Sequence, residues 1–280
     1  MTSSARALLR TVKAALPDGS ALDARWLVGL ALGRDQAVFA HETITLNRAQ
    51  QAELARLITL RSKGCPVSRL RGKREFYDLL FHLNEHTLDP RPDSECLVDQ
   101  ALIYARTQAF ADQTPRCLDV GTGTGCLLLS LLHHLPGATG LGIDLAPLAV
   151  AQARANAAHL NLSRRSRFIC GHWLSAVNTS FDLILANPPY IGSSDHSLAP
   201  DVADYDPALA LYAGPDGLSA YAALLPQISR VLTRNGRLFL EIGAGQAEPV
   251  TQLALAAGLK LCAVQADLSG IDRCLILAKI

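Results

Sequence analysis

Residues 116–129 read Arg116-Cys-Leu-Asp-Val-Gly-Thr-Gly-Thr-Gly-Cys-Leu-Leu-Leu129. A short β-prone run, Cys117–Val120, enters three alternate glycines and gives way at once to an apolar helix. Glycines let the backbone turn tightly and let a ligand approach the main chain. The helix start behind them offers free N–H groups. The next predicted strand, Thr139–Ile143, is followed by Asp144, 19 residues after Gly125. A carboxylate at that place can accept both hydroxyls of a ribose. A dinucleotide fingerprint would need glycine at position 126, where this chain has Cys126.

From Arg116 onward strands and helices alternate. The predicted strands are Cys117–Val120, Thr139–Ile143, Arg167–Cys170, Phe181–Ala186, Gly236–Ile242, Leu259–Gln265 and Cys274–Ala278. This order predicts an α/β fold with a mostly parallel sheet covered on both faces. The connection from Ala266 to Arg273 is too short for a parallel crossover, so the last strand is expected to be antiparallel. Residues 1 to about 64 read as helices, broken at Pro17–Ser20 and closed at Gly33 and Gly64, with Asn47 as a cap. Glu75–Tyr77 and Leu80–Leu83 read as a hairpin around Asp78. Pro90-Arg91-Pro92 is a stiff, non-helical linker, after which Asp93 or Ser94 is expected to cap a helix from Glu95 to Thr107. Residues 191–216 form the longest irregular stretch, a length often associated with function.

The strand Phe181–Ala186 runs into Asn187-Pro188-Pro189-Tyr190. Two prolines freeze the backbone at the carboxyl end of a strand, where open α/β sheets bind ligands. Such a turn suits an amide or aromatic amine nitrogen, which is planar and barely basic. The Asn187 side-chain oxygen and the Pro188 carbonyl can accept its two N–H groups and aim it, while Tyr190 stacks on the planar group. No general base is needed. These residues do not distinguish a glutamine side chain from the amino group of adenine or cytosine. Trp173 reads either as a ligand contact or as plain core, Arg91 either as a salt bridge or as a ligand contact, and Glu241 as a structural carboxylate.

Composition narrows the classes. With 26 basic and 25 acidic side chains the formal charge is +1, which argues against broad nucleic-acid binding. The basic tracts are Arg61–Arg74 and Arg164–Arg167. Seven cysteines without a C-x-x-C spacing predict reduced thiols, mostly buried, in a cytoplasmic protein, and no metal site is expected. Arg10 and Lys13 interrupt the N-terminal apolar run, which reads as an amphipathic helix and not a signal peptide. No segment has the ~18 apolar residues of a membrane span.

Asp119-x-Gly-x-Gly-x-Gly125 resembles the S-adenosylmethionine loop of Rossmann-like methyltransferases. Nearly the whole chain resembles the HemK/PrmC family of protein-(glutamine-N5) methyltransferases, which modify peptide chain release factors. The resemblance is carried by Glu75–Tyr77 with Phe81, Pro90–Pro92 with Glu95, Gly121–Gly125, Asp144, Asn187–Tyr190, Asp206–Leu209, Gly214–Leu218, Glu241–Gly243 with Gln246, and Asp267 with Gly270 and Arg273. It implies a helical N-terminal substrate-docking domain over 1–72, a hairpin and linker over 73–92, and a seven-stranded methyltransferase domain over 93–280. It implies S-adenosylmethionine as cofactor, with S-adenosylhomocysteine as product, held by Gly121, Thr122, Gly123, Thr124, Gly125, Asp144, Trp173 and Asn187. It implies Asn187, Pro188, Pro189 and Tyr190 as the catalytic set, and the glutamine of a release factor Gly-Gly-Gln motif as acceptor.

The chain departs from the family pattern at His172, where an acidic residue is usual, at Asp89, usually apolar, and at Ser94, usually threonine. A sister family that methylates a ribosomal-protein glutamine has Pro-Arg-Ser where this chain has Pro90-Arg91-Pro92. The other readings are that sister activity, a DNA or RNA amino-methyltransferase acting on adenine N6, and an adenosylmethionine-binding module without activity. The intact tetrapeptide stands against the last.

Overall fold

The computed structural model describes residues 3–106, 114–194 and 204–280, with the side chains of Ser3 and Ser4 left aside. Thr107, the expected end of one helix, and residues 195–203 of the expected long loop lie outside the described residues. The chain divides into two compact units, one over Met1–Lys73 with Ala199–Tyr205, the other over Arg74–Leu198 with Asp206–Ile280.

The first unit is built on helices. β1 (Ser3–Ser4) and β2 (Thr43–Ile44) form a two-residue antiparallel pair that the sequence reading lacked. α1 (Ala5–Ala15), α2 (Ala21–Ala31), α3 (Arg48–Ser62) and the short α4 (Val67–Arg71) complete it, α4 being a second addition. Ser20 caps α2 by accepting from the Asp23 amide, and Asn47 with Gln50 forms a reciprocal capping box on α3. Val12, Leu16, Leu27, Val28, Leu54 and Leu57 close on one core. Ala15 is exposed. The basic tract of this unit is largely neutralised within it. Arg61 lies 2.7 Å from both Asp18 and Asp23, and Asp35 takes Arg71 and Lys73. Arg71 also stacks on Trp26 at 3.8 Å.

The second unit opens with the hairpin of β3 (Lys73–Phe76) and β4 (Leu79–His82). Its strands lie slightly earlier than expected because Tyr77 is a turn residue. Tyr77 and Asp78 both have positive φ, 50° and 59°, the pattern of a tight two-residue hairpin turn. Phe76 and Phe81 meet edge to face in the core under α5 (Glu95–Ala105). Pro92 opens a single 3-10 turn, Pro92–Ser94, so the stiff linker is not wholly non-helical: a proline is tolerated where no N–H is needed. The Ser94 hydroxyl makes no cap to α5 and turns inward instead.

Seven strands form the sheet among the described residues, in the order β10-β11-β9-β8-β5-β6-β7. They are β5 (Arg116–Val120), β6 (Thr139–Asp144), β7 (Ser166–Cys170), β8 (Phe181–Ala186), β9 (Leu232–Glu241), β10 (Leu259–Ala266) and β11 (Asp272–Lys279). β5 to β9 are parallel, and β11 is antiparallel to both β9 and β10, as its short connection required. β9 starts four residues before the expected Gly236, at Leu232, which pairs with Phe181. The strands alternate with period two. Leu183 and Leu185 face the core under α5, α6 (Cys126–His134) and α7 (Pro147–His159), while Ile184 and Ala186 face the core under α8 (Ser219–Val231) and α9 (Ala247–Ala256). From central β5 the chain passes to β6 and β7 on one side, then to β8 and β9 on the other. That reversal opens a crevice at the carboxyl ends of β5 and β8.

One buried side chain ties the hairpin to the glycine loop. Asn156 of α7 is wholly buried; its carboxamide donates to the carbonyls of His82 and Thr124 at 3.0 and 2.9 Å and accepts from the His82 amide. Asn156→Ala withdraws these partners at once and is expected to cost about 1–3 kcal/mol in urea denaturation. An unchanged midpoint and slope would show that the tie contributes nothing.

Candidate active site

Val120 and Ala186 are paired across β5 and β8, so the residues that follow, Gly121 and Asn187, leave the sheet side by side. A methyl group built on Gly121 would lie 3.7 Å from the Asn187 carbonyl oxygen. Gly121, Gly123 and Gly125 all have positive φ, at 76°, 53° and 82°, which a side chain would strain. The Gly121 and Thr122 amides both donate to the Ile143 carbonyl, which pins the loop to the end of β6. A cavity of about 480 Å³ opens here. Gly121–Thr124, Asp144, Trp173, Asn187 and Pro189 line it, whereas Gly125, Pro188 and Tyr190 do not. Gly125 instead starts α6 and packs on Leu129, Ala153 and Phe168.

Asp144 ends β6 with its carboxylate held by two amides, from Gly123 at 2.8 Å and Ala146 at 2.9 Å. Burial raises its pKa, and those amides work against the rise. Trp173 has φ of 48° and is part-buried: it packs against the core and lines the cavity. His172, exposed, lines the same wall beside it. Arg91 pairs with the Asp206 carboxylate and also borders the cavity. Asp206 accepts the Asp89 amide as well, at 3.0 Å, and the buried Asp89 carboxylate lies 3.7 Å from Arg74. The acidic departure at position 89 is thus met by a cation.

Asn187 donates its side-chain N–H to the Ser94 hydroxyl at 3.2 Å. Ser94 donates to Glu241, whose other oxygen takes the Tyr190 hydroxyl at 3.3 Å. Glu241 is therefore no mere strand end. Burial pushes its carboxyl up to about 7, opposed by Ser94, Arg273 and Tyr190. Burial likewise pushes the Tyr190 phenol far up, so it stays protonated and donates. The turn is backed by Gln246, which donates to the Tyr190 carbonyl at 3.0 Å and accepts from Tyr221. Gly217 permits the close approach, since a methyl there would sit 2.2 Å from the Tyr190 carbonyl oxygen.

Asp119 is wholly buried under the glycine loop and accepts the Thr122 hydroxyl at 2.6 Å. Ser94, expected as a helix cap, bonds to Glu241 instead. Glu241 is visible in the sequence, but its partner Ser94 lies on a distant element. Two cysteines, Cys170 and Cys262, are exposed, against an expectation of mostly buried thiols.

The donor set fits S-adenosylmethionine. Asp144 offers carboxylate oxygens for the ribose, Leu145, His172 and Trp173 offer walls for a flat base, and the backbone of Gly121–Thr124 leaves room that side chains would fill. The volume is in the range of small-molecule sites, about 300–1,000 Å³.

Residues 112–242 match a family model described as a methyltransferase domain, and residues 4–72 one described as a PrmC N-terminal domain. The release factor glutamine methyltransferase of Bradyrhizobium diazoefficiens is 43% identical over 274 residues, 97% of this chain and 92% of that one. That of Rhodospirillum rubrum is 44% identical over 256 residues, 91% of this chain and 77% of that one. Among solved structures, the hMettl16 catalytic domain superposes with a TM-score of 0.56 at 14% identity, covering 87% of this chain and 86% of that one. The ribosomal protein L11 methylase of Lactobacillus delbrueckii subsp. bulgaricus gives 0.50 at 20% identity, over 69% and 82%. At those identities the structural likeness establishes the fold.

Burial pushes the Asp119 carboxyl up to about 7 from its ordinary 3.8; the Thr122 hydroxyl and Leu128 amide oppose the rise and the charge of Asp144 adds to it. Between those values the folded protein keeps a proton that the unfolded chain releases. The resulting stabilisation is complete below about pH 4 and lost as pH rises through about 7. Asp119→Asn is therefore expected to flatten the fall of melting temperature between pH 5 and 7. A slope equal to wild type would show that Asp119 is ionised throughout.

Proposed function

This chain belongs to the release factor glutamine methyltransferase family, and we propose that it methylates the side-chain nitrogen of the Gly-Gly-Gln glutamine in peptide chain release factors. It is an S-adenosylmethionine-dependent methyltransferase, and bound S-adenosylmethionine supplies a methyl on a sulfonium and leaves as S-adenosylhomocysteine. The observation that carries the reading is the placement of Asn187 directly beside Gly121, with Asn187 and Pro189 lining the same cavity as the glycine loop.

A carboxamide nitrogen has its lone pair delocalised and two hydrogens to give. Acceptors answer that need better than a base does. The Asn187 oxygen and the Pro188 carbonyl accept the two N–H groups, favour the charge that grows on nitrogen and fix its direction. Pro189 stiffens the turn and Tyr190 supports the planar group. Gly121–Thr124, Asp144 and Trp173 hold the cofactor, and Gly125 turns the chain into α6 behind them.

The helical unit is the place for a second grip. Glycines flanking the acceptor let a loop enter a narrow site but give it little to hold, so affinity comes from elsewhere on the release factor. We assign that docking to the segment matched over residues 4–72. A nucleic-acid acceptor is less well supported: Arg61, Arg71, Lys73 and Arg74 already face carboxylates of the chain itself.

Mass spectrometry after incubation with cofactor is expected to place one methyl on the Gly-Gly-Gln glutamine of an intact release factor, with the free tripeptide a poor substrate and duplex DNA unmodified. Methylated DNA without a release-factor product would overturn the reading. Asn187→Ala is expected to lose about 2.7–4 kcal/mol of transition-state stabilisation, a fall in kcat of roughly 10²–10³. Cofactor affinity by calorimetry is expected to stay close to wild type. Turnover within about threefold of wild type would remove Asn187 from the acceptor site.

A further inference from the structure

An asparagine side chain has nearly the same shape in either orientation, yet only one can serve here. With its oxygen toward the acceptor nitrogen, Asn187 accepts an N–H. Reversed, it would set its own N–H groups against those of the substrate. Nothing in the tetrapeptide chooses between the two.

We propose that Glu241 and Ser94 form a positioning relay that fixes the Asn187 carboxamide with its oxygen toward the acceptor nitrogen. The inference rests on the methyl-transfer reading above. Ser94 donates its only hydrogen to Glu241 Oε2 at 2.5 Å. Its oxygen then has lone pairs alone to offer Asn187, and it accepts Nδ2 at 3.2 Å. The carboxamide oxygen is thereby left for the other side. Tyr190 holds the second carboxylate oxygen at 3.3 Å, so one buried group orients residues at both ends of the turn. Glu241 and Ser94 are 2% and 4% exposed, so bulk water does not compete for these bonds.

The relay works in one charge state. An ionised Glu241 can only accept, and the order of donors is set. A protonated Glu241 donates to Ser94, frees the serine hydrogen to turn toward Asn187, and favours the reversed carboxamide. The groups that set this charge come from every neighbouring element. Asp93 and Ser94 precede α5, Cys126 starts α6, Tyr190 follows β8, Tyr221 lies on α8, and Arg273 and Cys274 lie on β11. Arg273 favours the charged form and Asp93 opposes it, while burial brings the balance to about 7. Asp119 titrates in the same range, so the assignment needs a variant of Glu241 itself.

The test is kcat against pH, from 5.5 to 9, on an intact release factor. Wild type is expected to lose about tenfold per pH unit below an apparent pKa near 7, and Glu241→Gln, whose carboxamide does not titrate, to show no acid limb in the turnover it retains. Ser94→Ala is expected to lower kcat about tenfold or more at pH 8.5 with the cofactor KM within about twofold, and Ser94→Thr, which restores a hydroxyl, to recover most of it. An acid limb that persists in Glu241→Gln, or a Ser94→Ala enzyme as fast as wild type, overturns the proposal. A second measurement needs no turnover. The Asn187 side-chain amide resonances, identified by their loss in Asn187→Asp, are expected to shift with a midpoint near 7 in wild type and to stay fixed in Glu241→Gln. Resonances that titrate alike in both proteins overturn the relay. A wild-type enzyme inactive on release factors would instead condemn the proposed function, and the spectra would still decide the relay.

Discussion

The parallel pairing of β5 with β8, Val120 opposite Ala186, is the contact on which the rest of the site depends. It brings two loops with separate tasks out of the sheet together, one made of glycine and one of proline. The glycine loop needs freedom, because its backbone takes positive φ at three places. In the proposed reaction the proline turn needs the opposite, a chain that cannot relax when a poor nucleophile leans on it. The alternation of core residues secures the register. A slip of one residue along β8 would exchange Leu183 and Leu185 for Ile184 and Ala186 and present every side chain to the wrong layer.

Around this junction the protein keeps three acidic side chains at reduced contact with water: Asp119, Asp144 and Glu241. Burial raises the pKa of each. Each is answered by donors and not by a bidentate ion pair: Thr122 for Asp119, the amides of Gly123 and Ala146 for Asp144, Ser94 and Tyr190 for Glu241. Such donors are short and fixed, so they orient as well as stabilise. A salt bridge would have neutralised the carboxylates at the expense of the geometry. The cations nearby are placed one step back. Arg273 acts on Glu241 through its charge while bonding to Asp267 and the Ile242 carbonyl, and Arg91 bonds to Asp206.

The local chemistry was legible in the sequence, and the long-range chemistry was not. Gly121–Gly125, Asp144 and Asn187–Tyr190 stand out by their adjacent residues, and the structure places them at the carboxyl ends of β5, β6 and β8. The antiparallel last strand followed from connection length alone. Ser94 was misread because a serine before a helix ordinarily caps it, and its actual partner, Glu241, lies 147 residues away. Asp89 looked like an unexplained departure because Asp206, 117 residues on, and Arg74 are brought to it only by the fold. The hairpin strands were placed late because Tyr77 has the composition of a strand and the backbone of a turn. The β1–β2 pair is too short to leave any periodicity.

The central claim is that a nearly non-basic nitrogen is handled by two oriented acceptors and no base. A crystal structure with S-adenosylhomocysteine and an intact release factor tests it most directly. The account predicts the glutamine side-chain nitrogen within about 3 Å of both the Asn187 side-chain oxygen and the Pro188 carbonyl, with the Asn187 amide nitrogen on Ser94. A reversed Asn187 carboxamide, or a carboxylate or imidazole of the chain within hydrogen-bond reach of that nitrogen, would contradict it.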